Sequence, residues 1–209
     1  MIAICDHNST RNVVAVQAAA GAGLIVLPGI EITSAEECHV VGLFPDARTA
    51  EEAGDRVSAL LPEAGEGYAE FFGEQHVLDA RGEVVDRESR ALATATTLDV
   101  AACVDLIHRH DGVAVAAHVD RRSFGVIGQL GVFPKGVGFD AVELSRHVAP
   151  GSKEEESFAA LGLPVLHSSD AHFLADVGAA RSLLELETPG FASLAALLRD
   201  DRARSTSHA

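Results

Sequence analysis

The chain of 209 residues carries a formal net charge of -15 and is 47% hydrophobic. This length suits one well-buried core, and the composition excludes a disordered or fibrous protein. The acidic charge speaks against binding of long nucleic acid, which needs a surplus of lysine and arginine on one face. The apolar runs are shorter than a bilayer span and the amino terminus lacks signal-peptide features, so we expect a cytoplasmic protein without a membrane partner.

Short apolar runs alternate with segments of helical spacing along the chain. Runs of this kind are typical of strands that are buried on both faces. They predict strands at residues 2–5, 24–27, 39–44, 113–117, 141–144 and 164–166. The segments between them predict helices at residues 12–20, 50–61, 98–110, 153–161 and 192–198.

The alternation of strands and helices predicts an α/β fold with parallel pairing, as a doubly wound sheet or a closed barrel. Residues 74–86 break the pattern, and Arg81-Gly82 in their middle predicts an inserted hairpin. We therefore expect one domain over residues 1–200 and a polar tail over residues 201–209.

Side chains that commonly bind metals follow the predicted strands. Because the carboxyl ends of parallel strands meet at one edge, such side chains converge there even when they are distant in sequence. A single histidine at a strand end is more often a structural residue, but the repeated placement favours a shared site. The residues so placed are His7, Glu31, His118, Glu143, Asp170 and His172.

Histidine and carboxylate ligands without thiolates suit Zn, Mn or Fe, and a bridging carboxylate such as Glu31 suits more than one ion. The three cysteines have no C-x-x-C spacing and predict neither a thiolate site nor a disulfide framework. Clustered divalent ions activate a bound water for hydrolysis of phosphate esters. The pattern therefore favours hydrolysis through a metal-bound hydroxide.

Four segments carry a resemblance to a known family. They are Cys-Asp-His-Asn (residues 5–8), Pro-Gly-Ile-Glu (28–31) with Glu-Cys-His (37–39), Ala-Ala-His-Val-Asp-Arg (116–121) and Ser-Ser-Asp-Ala-His (168–172). In this order they resemble successive motifs of the PHP family, the polymerase and histidinol phosphatase superfamily. The resemblance implies a distorted (βα)7 barrel, related to the TIM barrel, with two or three divalent metal ions at the carboxyl ends of its strands.

The resemblance also implies a set of metal ligands. These are His7 and His172 for one ion, His39 and His118 for another, Glu31 as the bridge, and Asp170 for the remaining ion.

Three further residues are candidates for supporting roles. Asp6 matches the family's aspartate beside the metal-binding histidine, where it would fix the tautomer of the His7 imidazole. Arg121 and Arg122 follow a predicted strand end, and guanidinium groups pair well with phosphate. Solvated surface charge is the alternative interpretation of both arginines.

One feature of the family has no counterpart in this sequence. The family opens with a strand carrying His-x-His, followed by a loop and a helix, before the strand that ends in Asp-His. Here Asp-His stands at residues 6–7, so we expect the first βα unit to be missing. A start codon placed too late and a naturally short chain are both open explanations.

The expected function is a metal-dependent phosphoesterase acting on small phosphate esters, such as sugar, histidinol-type or nucleotide phosphates. One alternative is a truncated or degenerate module that binds metal without catalysis. A second alternative is a nuclease that acts on short oligonucleotides. The sequence leaves the oligomeric state open.

Overall fold

The computed structural model describes the backbone of residues 1–206 and the side chains of residues 1–200. Its strands are β1 (Ile2–Ile4), β2 (Val26–Thr33), β3 (His39–Leu43), β4 (His76–Leu78), β5 (Val84–Arg87), β6 (Val113–Ala116), β7 (Ala141–Leu144) and β8 (Val165–His167). Its helices are α1 (Val13–Ala19), α2 (Ala47–Ser58), α3 (Tyr68–Phe72), α4 (Val100–Arg109), α5 (Val126–Leu130), α6 (Lys153–Ala159) and α7 (Phe191–Thr206). None of the helices within residues 1–206 has both the length and the apolar composition that a membrane span requires.

Most of the predicted elements are confirmed, with boundaries shifted by a few residues. The predicted hairpin is the antiparallel pair β4–β5, and Gly82 occupies its turn with a φ of 81°. Helix α7 continues to Thr206, into the segment predicted to be a polar tail. The remaining residues of that tail, 207–209, lie outside the described residues.

The second strand lies later in the chain than predicted. Leu24 and Ile25 are 39% and 41% exposed, whereas all eight residues of β2 are buried. The Pro28-Gly29 pair, which follows the predicted strand, lies inside β2 at a point where the neighbouring backbone comes very close. A Cβ atom at Gly29 would lie 2.5 Å from Cys5 Sγ and 3.0 Å from the carbonyl oxygens of Ile4 and Gly42.

Six strands form one sheet in the order β1-β2-β3-β6-β7-β8. The pairs β1–β2, β6–β7 and β7–β8 are parallel, as predicted. Strand β3 is antiparallel to both β2 and β6, so the expectation of parallel pairing is wrong for this strand. The physical reason is the short connection at residues 34–38, because a parallel crossover needs about a dozen residues or more.

The sheet curls into a half-barrel with a hydrophobic core on each face. On the outer face, Ile30 and Ile32 pack with buried residues of α2 and α4. On the inner face, the residues at one end of the strands pack against Leu194, Ala195 and Leu198 of α7. Helix α7 therefore closes one end of the inner face, and the carboxyl ends of β1, β2, β6, β7 and β8 lie at the other end.

Candidate metal centre

Strands β2 and β3 bring Glu31 and His39 together at the edge opposite α7. Glu31 pairs with Val41 and Thr33 pairs with His39, so Glu31 and His39 are diagonal neighbours on one face of an antiparallel pair. His39 Nδ1 lies 3.1 Å from Glu31 Oε1. The reversed direction of β3 thus places the first residue of this strand at the same edge as the carboxyl ends of its neighbours.

Glu31 lies at the centre of a cluster of three imidazoles. Its Oε2 atom is 3.0 Å from His7 Nδ1, while its Oε1 atom faces His39 and is 3.4 Å from His118 Nε2. The His39 Nδ1 and His118 Nε2 atoms are themselves 3.2 Å apart. The two carboxylate oxygens of Glu31 therefore face different histidines, which is the arrangement expected of a bridging ligand.

Interactions within the cluster shift the pKa values of Glu31 and His7. Burial raises the pKa of the Glu31 carboxyl, but hydrogen bonds from the three imidazoles outweigh burial and hold the pKa well below its usual value. The hydrogen bond to Glu31 raises the pKa of the His7 imidazole, against the effect of burial. Glu31 is thus held as a carboxylate, the form that binds cations.

The spacing of the donor atoms tests whether these residues suit a divalent cation. Ligand atoms at 2.0–2.2 Å from a tetrahedral ion stand roughly 3.3–3.6 Å apart. The separations of 3.2 and 3.4 Å among His39, His118 and Glu31 are close to this range. Donor atoms of His7, Glu31 and His39 also lie within 4.8 Å of one another. The residues present therefore fit a divalent cation.

His118 supports the same conclusion. This side chain is 1% exposed, and among the described residues its Nδ1 atom has no hydrogen-bond partner. Its backbone has a φ of 29°, an uncommon conformation for a residue with a side chain. Such strained residues are enriched at functional sites.

His172 and Asp170 lie at the exposed rim of the cluster. The His172 ring centroid is 5.8 Å from that of His7, and the side chain is 55% exposed. Asp170 Oδ2 is 2.7 Å from Arg121 Nη1, so a predicted metal ligand and a predicted phosphate contact are paired with each other. Arg122, which directly follows Arg121 in the loop after β6, is exposed. The structure thus brings together the predicted ligands His7, Glu31, His39 and His118, with His172, Asp170 and Arg121 at their rim.

Asp6 contacts a different partner from the one predicted. Its Oδ2 atom accepts a hydrogen bond from Asn12 Nδ2 at 3.1 Å, and Asn12 Oδ1 accepts one from the backbone of Leu78 in the hairpin. Burial raises the pKa of the Asp6 carboxyl, against the smaller lowering effects of the hydrogen bond from Asn12 and of His7. This network links the end of β1 to α1 and β4.

Two residues near the centre were missed as functional residues by the sequence analysis. Asn8 is fully buried. Its Oδ1 atom accepts a hydrogen bond from the Thr33 backbone N–H, and its own backbone N–H donates to the backbone carbonyl oxygen of Glu31. Phe124 stacks on the His39 ring, with centroids 4.5 Å apart and planes at 16°. Asn8 belongs to the first family-like motif and was therefore detectable, whereas no pattern in the sequence singled out Phe124.

The chain is similar to a family model over part of its length and to solved structures in its fold. Residues 152–203 match a family model described as PHP-associated. The fold is similar to that of a lesion-specific endonuclease, PfuEndoQ from Pyrococcus furiosus, with a TM-score of 0.61 and 15% sequence identity. The match covers 84% of this chain but 38% of the endonuclease chain.

A second solved structure, a proposed metal-dependent phosphoesterase from Bifidobacterium adolescentis, aligns with a TM-score of 0.48 and 22% identity. That alignment covers 82% of this chain and 77% of the other. A search of curated proteins found no match. The match of residues 152–203 to the PHP-associated family model agrees with the resemblance to the PHP family that the sequence motifs predicted.

Proposed function

We propose that this protein is a divalent-metal-dependent phosphoesterase that hydrolyses small phosphate esters. The observation that carries the proposal is the position of Glu31, whose two carboxylate oxygens face different histidines at 3.0 to 3.4 Å. Two or three ions of Zn, Mn or Fe suit such donors. When bound, these ions supply an activated water and neutralise charge on the phosphoryl group.

The residues of the chain itself hold and orient the reacting groups. Glu31, His39 and His118 form the buried part of the centre, and their position beside the inner core limits the access of water. Arg121 and Arg122 are proposed to contact the phosphate from the rim. Because Arg121 is paired with Asp170, a phosphate that reaches Arg121 competes with this carboxylate.

A small substrate is favoured over a long polymer by the overall charge. A net charge of -15 repels an extended phosphate backbone, whereas a small ester is neutralised locally by the bound cations. The endonuclease-like fold favours a second candidate function, hydrolysis of short oligonucleotides. We also propose that the curled sheet is part of the distorted (βα)7 barrel that the family resemblance implies.

The proposal is tested by loading the purified chain with Mn, Zn or Fe and measuring the bound metal. Hydrolysis is then assayed on sugar phosphates, histidinol phosphate, nucleoside bisphosphates and short oligonucleotides. We expect turnover of a phosphate monoester, lost in Glu31→Gln. His110→Ala is the matched control. The His110 Nδ1 atom is hydrogen-bonded to the backbone carbonyl oxygen of Leu106 in α4, so this side chain is engaged away from the cluster.

The outcomes separate the candidate functions. Turnover of oligonucleotides alone favours the nuclease. Bound metal without turnover of any substrate rejects catalysis and favours a non-catalytic metal-binding module. A chain that binds no divalent metal contradicts the proposal altogether.

A further inference from the structure

A second carboxyl group, which is half-buried, lies next to the candidate metal centre. Glu143 belongs to β7, where Val142 and Leu144 point into the outer core and Ala141 packs in the inner core. Because side chains alternate along a strand, Glu143 shares the inner face with Ala141. Its partner on β8, Leu166, also packs against the inner core, which agrees with this orientation.

The position of Glu143 along β7 brings it to the level of the cluster. Its carbonyl oxygen accepts a hydrogen bond from the Val119 backbone at 2.9 Å, directly after His118. Its carboxyl group accepts a hydrogen bond from Ser168 and interacts electrostatically with His118, Glu31 and Asp170. Glu143 therefore faces the metal centre from the inside of the curled sheet.

The local charge around Glu143 is unbalanced. Asp140, a buried carboxylate just before β7, accepts hydrogen bonds from His108 Nε2 at 2.8 Å and from the Ala114 N–H at 2.9 Å. Glu143 has no ion pair of this kind among the described residues, and two other carboxylates lie near it. A partly buried carboxyl group beside other carboxylates is costly unless a cation accompanies it.

A separate observation at the same place indicates a missing partner. The Nδ1 atom of His118 is buried and has no hydrogen-bond partner among the described residues, although buried polar groups are nearly always paired. The His118 imidazole is one of the groups that interact with the Glu143 carboxyl. An unpaired imidazole nitrogen and a carboxyl group without an ion pair thus belong to two side chains that interact electrostatically beside the cluster.

We propose that Glu143 supplies a further carboxylate ligand to a divalent cation at the candidate metal centre, from the inner face of the sheet. This inference rests on the proposed function only in that it requires the centre to bind a cation. It adds one strand, β7, to those that contribute ligands. It also explains why an otherwise apolar strand carries a carboxyl group inside the half-barrel.

The test compares Mn²⁺ binding by the intact chain and its variants, measured by calorimetry with the metal alone. We expect Glu143→Gln to lower the affinity by at least about 10- to 100-fold, since that is the loss known for residues that only orient metal ligands. Glu143→Asp keeps a shorter carboxylate and should give an intermediate affinity. Co²⁺ absorption spectra supply a second readout, because the loss of a ligand changes the band positions and intensities of the ion.

Asp140→Asn is the matched control, since it neutralises a buried carboxylate that belongs to the same strand region but pairs with His108. It should lower thermal stability and leave Mn²⁺ affinity and the Co²⁺ spectrum unchanged. Thermal melts of the metal-free variants establish that Glu143→Gln is folded. If Glu143→Gln is unfolded, the comparison of wild type with Glu143→Asp decides, and equal affinities reject the inference.

Several outcomes overturn the inference. These are wild-type affinity and an unchanged Co²⁺ spectrum in Glu143→Gln, an equal loss in Asp140→Asn, or no cation binding by the wild-type chain. The phosphoesterase assay is read separately. Reduced Mn²⁺ affinity in Glu143→Gln without any wild-type turnover supports this inference and rejects the proposed activity. Turnover together with unchanged affinity does the reverse.

Discussion

The close approach at Gly29 leads to a quantitative prediction for Gly29→Ala. The new Cβ would lie 2.5 Å from Cys5 Sγ and 3.0 Å from two backbone carbonyl oxygens, those of Ile4 and Gly42. Ordinary contacts of this kind are about 3.5–4.0 Å, so the overlap with sulfur is about 1 Å. The carbonyl oxygens belong to the strands on either side and cannot retreat without disturbing the sheet.

The size of the effect follows from known costs of overpacking. We expect Gly29→Ala to reduce the free energy of unfolding by about 1–3 kcal/mol. For a chain of this size, that corresponds to roughly 2–4 °C in melting temperature for each kcal/mol. Because Gly29 is two residues before Glu31 in β2, divalent-metal affinity should fall as well. Urea unfolding and calorimetric metal titration measure the two effects.

Two variants control the prediction. At Gly23 an added Cβ meets nothing within 4 Å, so Gly23→Ala should be neutral or stabilising by up to about 1 kcal/mol. Combining Gly29→Ala with Cys5→Ala removes the sulfur and should recover part of the loss, with a coupling of about 0.5–3 kcal/mol. Equal stability of Gly29→Ala and wild type, or strict additivity in the double variant, would refute the steric reasoning.

Four further predictions concern the centre and its surroundings. Asn8→Ala leaves a buried backbone N–H without its acceptor and should cost about 1–3 kcal/mol in urea unfolding; a wild-type midpoint contradicts this. Asp140→Asn should lower stability at neutral pH. The hydrogen bond from His108 and that from a backbone N–H lower the Asp140 pKa despite burial. Its contribution is therefore present above the unfolded pKa of about 3.9 and lost as the pH falls through the folded pKa. The acid-induced loss of stability should be smaller in this variant, and identical pH profiles would reject the assignment. Arg121→Gln frees Asp170 and should raise KM more than it lowers kcat, as steady-state kinetics will show; an effect on kcat alone argues against phosphate contact. Chelation should lower the melting temperature, since a cation at 100 times its Kd stabilises by about 2.7 kcal/mol; an unchanged melt means that no stabilising cation had been bound.

The positions of the strands were predictable because buried strands leave continuous apolar runs. The direction of β3 was not predicted, because the alternation of strands and helices along the chain favoured parallel pairing throughout. Once β2 is known to end at Thr33, the five residues before His39 permit only a hairpin. The end of β2 therefore had to be known before the direction of β3 could be inferred.

The composition of the centre was predictable to a similar degree. His7, Glu31 and His118 were recognised because metal-binding residue types recur after apolar runs, and the structure brings them together. The partners of these residues were not predictable, because they depend on side-chain rotamers and loop conformations that only tertiary packing decides. The pairing of Arg121 with Asp170 and the stacking of Phe124 on His39 are both of this kind.

The β2–β3 hairpin has a consequence for the order in which the protein assembles. Glu31 and His39 are eight positions apart in sequence, and a hairpin of this size closes in about 1–10 μs, before distant segments have met. His118 and His172 require the closure of much longer loops, which carries a larger entropic cost. A carboxylate–imidazole pair can thus exist early on the folding pathway, and cations in the medium then become able to influence the rate at which later strands are added.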